Sequence, residues 1–237
     1  VSRLDVLYED NHLLVINKPA GVATQGAAAG EESMVEWARE YLRVKYRKPG
    51  NVYVGIVSRL DSLVTGVLVL ARTSKAAARL NEQFRTSSVR KIYWAIVERS
   101  PAEPQSELTD YLAKDDARRR VVVVSASAAG AQLARLHYRR LYSLVGGRAL
   151  FEVELATGRK HQIRVQFASR GAPIVGDAKY GSSVSFPSGI ALHSRRLEIE
   201  HPTLKTRLAF TAPLPESWNA VGLNENQAVK IEAGAIQ

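Results

Sequence analysis

The chain has 237 residues, 46% of them hydrophobic, with a formal net charge of +10 and a pI of about 9.9. That length admits one large domain or two small ones, and the charge suggests a polyanionic partner. Nucleic acid is favoured over a membrane surface, because no apolar run reaches the roughly 18–20 residues that span a bilayer, and the absence of cysteine excludes disulfides and thiolate metal sites.

No segment near the start has the layout of a signal peptide, and a cysteine-free chain agrees with a cytoplasmic location. The histidines, His12, His137, His161, His193 and His201, lack metal-ligand spacing, so no metal is expected.

Leu4 to Asn17 reads as a hairpin, with strands at Val6–Tyr8 and Leu13–Ile16 around an Asp/Asn turn. Lys18-Pro19-Ala20-Gly21 then bends sharply, since proline fixes φ and glycine permits positive φ. Lys18 reads as a solvated lysine before a turn, or as a phosphate contact. Thr24 to Glu32 is a Gly/Ala-rich surface loop. Ser33 opens a helix with Met34, Trp37/Ala38 and Tyr41/Leu42 at helical spacing, which puts Trp37 and Tyr41 in the core. The basic run Arg43 to Lys48 ends it.

Val52 to Val57 and Val67 to Ala71 are apolar and read as strands. Between them lies Ser58-Arg59-Leu60-Asp61-Ser62-Leu63-Val64-Thr65-Gly66. Asp61 therefore sits on a short turn at the rim of a core, where a scaffold can hold a catalytic carboxylate. A turn with a structural ion pair explains the spacing equally well. A second helix follows, with Ser74 as N-cap and Ala77, Leu80 and Phe84 on one face. Ser87 to Glu98 reads as a strand whose alternation puts Ile92, Trp94 and Ile96 on one face and Lys91, Tyr93 and Ala95 on the other.

Pro101 to Ala134 reads as strand, exposed loop, strand, with Arg118-Arg119-Arg120 in the loop. These arginines are phosphate candidates, and a solvated charged hairpin is the simpler reading. Gln132–Leu141 and Arg148–Leu155 pair around Gly146-Gly147. A turn at Gly158 leads into a helix from about His161 that ends at Gly171. Arg159, Lys160 and Arg164 crowd its start, where the helix dipole favours anions, so a carboxylate or phosphate is the natural partner. Ile174 to Gly181 is a glycine-punctuated loop, Ala191–Ile199 a strand, and Leu208–Phe210 the last strand. Residues 1–223 are expected to form one α+β domain, a mostly antiparallel mixed central sheet flanked by helices and loops. The polar tail 224–237 is expected to fray.

Several blocks, in order, resemble the RluA-type pseudouridine synthases. Asn17-Lys18-Pro19-Ala20-Gly21 is similar to that family's first block, and Arg59-Leu60-Asp61 with Thr65-Gly66 to its catalytic motif. Tyr93 after Arg90-Lys91 is similar to its active-site tyrosine strand. Thr157-Gly158-Arg159 with His161-Gln162-Ile163-Arg164 resembles its third motif. Pro173 to Asp177, Tyr180-Gly181, Leu192-His193 and His201-Pro202 fit its later blocks. The sequence departs from the family pattern at Ser58, at Val64-Thr65 and at Lys160. Many relatives carry an N-terminal S4 RNA-binding domain, for which no room is expected here.

The resemblance implies isomerisation of uridine to pseudouridine within ribosomal or transfer RNA, with no cofactor or metal. It implies Asp61 as nucleophile, whether at C1′, at the base or on a ribose proton. Arg164 would keep that carboxylate charged and oriented, and Tyr93 would lie against the uracil. The target base must leave its stack, and Arg59 is the candidate to fill the vacated space. Arg59, Leu60, Lys18, Arg159, Lys160, His161 and Gln162 are the candidate RNA contacts, and a monomer is expected. A catalytically inactive RNA-binding protein on the same fold is the alternative; a phosphoester hydrolase is weakened by the lack of a metal cluster or a P-loop.

Overall fold

The computed structural model describes residues 3–27 and 30–234; Ala28-Ala29 of the Gly/Ala-rich loop and the last three residues of the tail lie outside it. The fold is α+β: among the described residues, eleven strands and four α-helices, with antiparallel pairing at every register given below. By internal contacts the chain forms two compact units where the sequence reads as one domain. The first comprises Val1–Arg90 and Ser194–Pro213, the second Lys91–His193 and Leu214–Gln237.

In the first unit, β1 (Val6–Glu9) and β2 (Leu13–Lys18) form the expected hairpin. Its turn is closed by Asp10, whose carboxylate accepts the backbone N–H groups of His12 and Leu13, each at 2.7 Å. β2 pairs with β4 (Thr65–Ala71), which is buried at every position, and β3 (Gly55–Ile56) pairs with β4 as well. The expected strand over Val52–Val57 thus shrinks to two residues. The helix α1 (Met34–Lys45) begins at Ser33 with a reciprocal capping box to Glu36. It buries Met34, Val35, Ala38 and Leu42. Trp37 and Tyr41, expected in the core, are only half-buried, because their polar atoms reach out to Glu32 and Glu9.

The helix α2 (Ser74–Arg85) is capped by Thr73 instead of Ser74. Ala77, Leu80 and Phe84 pack on Val67, Val69 and Ala71 of β4. The second segment of this unit adds the Ser194–Glu200 part of β10 (Leu192–Glu200) and its partner β11 (Arg207–Thr211).

In the second unit, β5 (Arg90–Val97) pairs with β9 (Ala149–Leu155), β9 with β8 (Gln132–Ser143), β8 with β6 (Gln105–Asp115), and β6 with β7 (Arg120–Val124). Tyr93 lies opposite Val153 and Val153 opposite Tyr138, so these three share one face. The short helix α3 (Gln162–Ala168) covers that face: Phe167 meets Tyr138 and Phe151 with ring centroids 5.2 and 5.8 Å apart. The tail expected to fray from Asn224 instead carries α4 (Glu225–Glu232). It is capped by Asn224 and Gln227, buries Ala228 and Ile231, and its Glu225 accepts the Leu214 N–H at 2.7 Å.

Candidate active site

Asp61 lies on a turn that is fixed at three points within the first unit. Thr24 grips Leu60 from both sides: its hydroxyl donates to the Leu60 carbonyl at 2.8 Å and accepts the Leu60 N–H at 3.1 Å. The Asp61 carbonyl accepts the Val64 N–H at 3.0 Å, closing the turn. The Ser62 carbonyl accepts the Gly21 N–H at 2.9 Å and the Lys18 ammonium at 3.0 Å. Gly66 then starts β4 with φ +107, and a Cβ there would run into the Ser194 carbonyl. Only glycine lets the chain leave the turn this way. The result is a half-buried carboxylate on a backbone with little freedom to move.

Lys18 differs from both expectations for it. It is neither solvated nor placed to touch a phosphate: its exposure is 0%. Its ammonium donates to Pro19 O at 2.7 Å and Ser62 O at 3.0 Å. Burial pushes its pKa from 10.5 down to about 7, while the nearby Asp61 charge favours the protonated form. The bend at Pro19–Gly21 is therefore part of the site, joined to the Asp61 turn by a buried cation.

The second unit carries Tyr93 and Arg164. Tyr93 is half-buried on the face that α3 covers. Lys91, on the same face of β5, has its pKa lowered, first by burial and then by the Arg159 charge. Arg164 is 3% exposed and Asp177 1%. Asp177 takes the guanidinium bidentately, at 2.6 Å from Nε and 2.8 Å from one terminal nitrogen. The Tyr180 ring lies 5.0 Å from the same guanidinium. A buried guanidinium is costly unless its donors are met, and the loop at 174–181 meets two of them.

Gln162, expected to touch substrate, is buried and turned inward. Its side-chain oxygen accepts from the Thr157 hydroxyl at 2.8 Å and the Arg159 N–H at 3.0 Å, and its nitrogen donates to Arg135 O at 3.0 Å. It shapes the turn before α3. Leu60, also expected to touch substrate, is buried. Arg59, Arg159 and Lys160 are exposed as expected of RNA contacts, and Arg159 Nε donates to Leu133 O at 2.9 Å. His161 adopts a left-handed φ of +54 just before α3, a strained conformation of the kind that concentrates at functional sites. Its Nδ1 lies 2.7 Å from the Tyr180 hydroxyl. Thr24 drew no role from the sequence, and Asp177 and Tyr180 none beyond their match to the family's later blocks. Thr24 sits in a stretch that reads as a featureless loop, and an Asp near a glycine reads first as a turn residue.

The model of the family described as RNA pseudouridylate synthase matches residues 12–169. The chain belongs to this family. The match spans Lys18, Asp61, Tyr93 and Arg164 and ends before Asp177 and Tyr180. The relatives place it in the RluA-type branch, whose members are isomerases. The chain is 34% identical over 219 residues to the RNA pseudouridine synthase YhcT of Bacillus subtilis, covering 90% of this chain and 70% of the relative. It is 34% identical over 224 residues to ribosomal large subunit pseudouridine synthase D of Zymomonas mobilis, with the same coverage. An RNA pseudouridine synthase of Synechocystis matches over 66% of its own length, so the chain spans about two thirds of the curated relatives it matches. Among solved structures, the human RNA pseudouridylate synthase domain containing 4 superposes with a TM-score of 0.77 at 27% identity, covering 93% of this chain and 94% of that one.

Proposed function

We propose that this chain isomerises uridine to pseudouridine in structured RNA, with Asp61 as the nucleophile. The relatives named as large-subunit enzymes favour ribosomal RNA over transfer RNA. In the reaction the bond between C1′ and N1 of the uracil breaks, the base turns, and C1′ bonds to C5, which gives up its proton while N1 gains one. The net change is an isomerisation that calls for no redox partner.

The observation that carries this reading is the Asp61 turn. A nucleophilic carboxylate must be ionised and held at a fixed point while the base turns. Thr24, Gly21 and Lys18 fix the backbone on either side of it, and the Lys18 amine lies close enough for the Asp61 charge to favour its protonated form. On the family pattern, Tyr93 is the ring against the uracil and Arg164 the cation that serves the reacting groups.

The test is carbodiimide mapping of pseudouridine in total RNA from cells with the gene, without it, and with Asp61→Asn. One or more positions in large-subunit ribosomal RNA should disappear in both deficient strains while the variant protein accumulates normally. Retention of every site by the Asp61→Asn strain would remove Asp61 from the chemistry.

A further inference from the structure

In the second unit, the β6–β7 hairpin and the loop before α3 enclose a cleft of about 280 Å³ lined by Lys114, Asp116, Arg119, Arg120, Lys160 and His161. Four cations meet one carboxylate there, and that carboxylate is paired with Lys114. Among the described residues, Arg119, Arg120 and Lys160 have no acidic partner. The Nε of Arg120 is buried with no hydrogen-bond acceptor. Like charges crowded in a concavity repel one another, and a buried donor left unmet is destabilising. An anion in the cleft relieves both.

The arginine run read from the sequence as one solvated face thus splits in two. Arg118 turns to Asp115, which accepts its backbone N–H at 3.0 Å and lies 3.5 Å from its guanidinium. Arg119, with a left-handed φ of +48, and Arg120 line the cleft instead.

The cleft is also built on a rigid wall. The Tyr180 hydroxyl accepts the Val121 N–H at 3.0 Å and meets His161 Nδ1 at 2.7 Å. Leu112, Val121, Ala134 and Val165 pack with Tyr180 into a small apolar cluster that holds the hairpin to α3. The Tyr180 ring faces the Arg164 guanidinium. The cleft therefore shares its wall with one of the family's functional residues.

We propose that this cleft binds a phosphodiester of the RNA substrate outside the reacting nucleotide. Its lining offers cations and, His161 apart, no aromatic ring on which a base could stack, which suits backbone contact over base readout. A phosphate held here would set the register of the RNA against the second unit. The inference rests on the isomerase reading above, since that reading supplies the RNA.

The experiment is filter binding of in vitro transcribed large-subunit ribosomal RNA across a KCl series, with pseudouridine formation measured on the same transcript. Arg120→Gln/Lys160→Gln should weaken binding about tenfold at low salt and flatten the slope of log K against log[salt] by about 1, as one lost phosphate contact requires. Arg118→Gln should stay within about twofold of wild type, because its charge is already met by Asp115. Lys160→Glu alters an exposed side chain outside any helix or strand; it keeps the test decisive if the double variant is unstable, and it should weaken binding in the same direction. If Arg118→Gln and the double variant behave alike, the cleft is no more than part of a diffuse charge and the proposal falls. It falls too if inorganic phosphate raises the melting temperature of the wild type but not of the double variant while RNA affinity is the same for both: the cleft then takes a small anion. Wild-type protein that binds through the cleft but forms no pseudouridine would instead overturn the isomerase reading and leave the cleft standing.

Discussion

A lysine with no solvent exposure beside a carboxylate is the most consequential single residue of the first unit. Lys18 has a folded pKa of about 7 against an ordinary 10.5. Between those values the unfolded chain binds more protons than the folded one, so stability rises as pH increases from about 7 to about 10. That contribution is complete above the unfolded pKa and is lost as pH falls through the folded one. Lys18→Met should abolish this part of the pH dependence, a change on the order of a few kcal/mol in urea unfolding compared at the two ends of the window. The same substitution removes the donor to Ser62 O, so the Asp61 turn should loosen and turnover should fall at every pH. An unchanged pH profile of stability would show that Lys18 titrates as a solvated lysine.

Within elements, the decisive pairing is between α3 and the loop that follows it. Arg164 is fixed by the helix and Asp177 by the loop, and both are buried. Asp177→Ala strips a buried guanidinium of its bidentate partner, which typically costs about 3–5 kcal/mol. Urea unfolding should register that loss, and a change below about 1 kcal/mol would mean that water reaches the pair. The element also shows where the sequence misled. The crowd of cations at the start of α3 reads as one anion site. The structure distributes it: Arg164 turns inward to Asp177, Arg159 bonds to a backbone carbonyl, and Lys160 lines the cleft with the hairpin. Gln162, between them, is spent on shaping the turn.

On the scale of the whole molecule, the charge of +10 is the relevant quantity. It is the excess of 33 lysines and arginines over 23 acidic residues, and several of those acids pair with a nearby cation: Glu40 with Arg43, Glu82 with Arg85, Glu152 with Arg139 and Glu200 with Lys205. Such exposed pairs add little stability, but they mute cations that would otherwise contribute to a diffuse field. The affinity of the wild type for ribosomal RNA should still fall with salt, by about 0.7–0.9 log units per log unit of salt for each phosphate engaged. Arg59→Ala should weaken that binding or the extrusion of the base, and normal binding and turnover by this variant would remove its proposed role. An affinity flat between low and moderate salt would show that the excess charge plays no part in holding RNA.

The sequence by itself determined the family, the α+β class and the order of nearly all elements. Those follow from local signals: alternation along β5, Ser33 opening α1, the Asp/Asn turn after β1, and motif blocks in a fixed order. The tertiary structure decided what each charged side chain faces. Lys18 and Gln162 read as a solvated cation and a polar contact because their types favour water, and Arg164 as the partner of Asp61; all three are buried where carbonyls and carboxylates distant in sequence meet them, Ser62 for Lys18, Arg135 for Gln162 and Asp177 for Arg164. The C-terminal helix escaped for the same reason. Its apolar face is only Ala228 and Ile231, too little to announce a helix, and it is stabilised by Glu225 reaching back to Leu214. Burial of a polar group depends on a partner, and partners distant in sequence become neighbours only when the chain has folded.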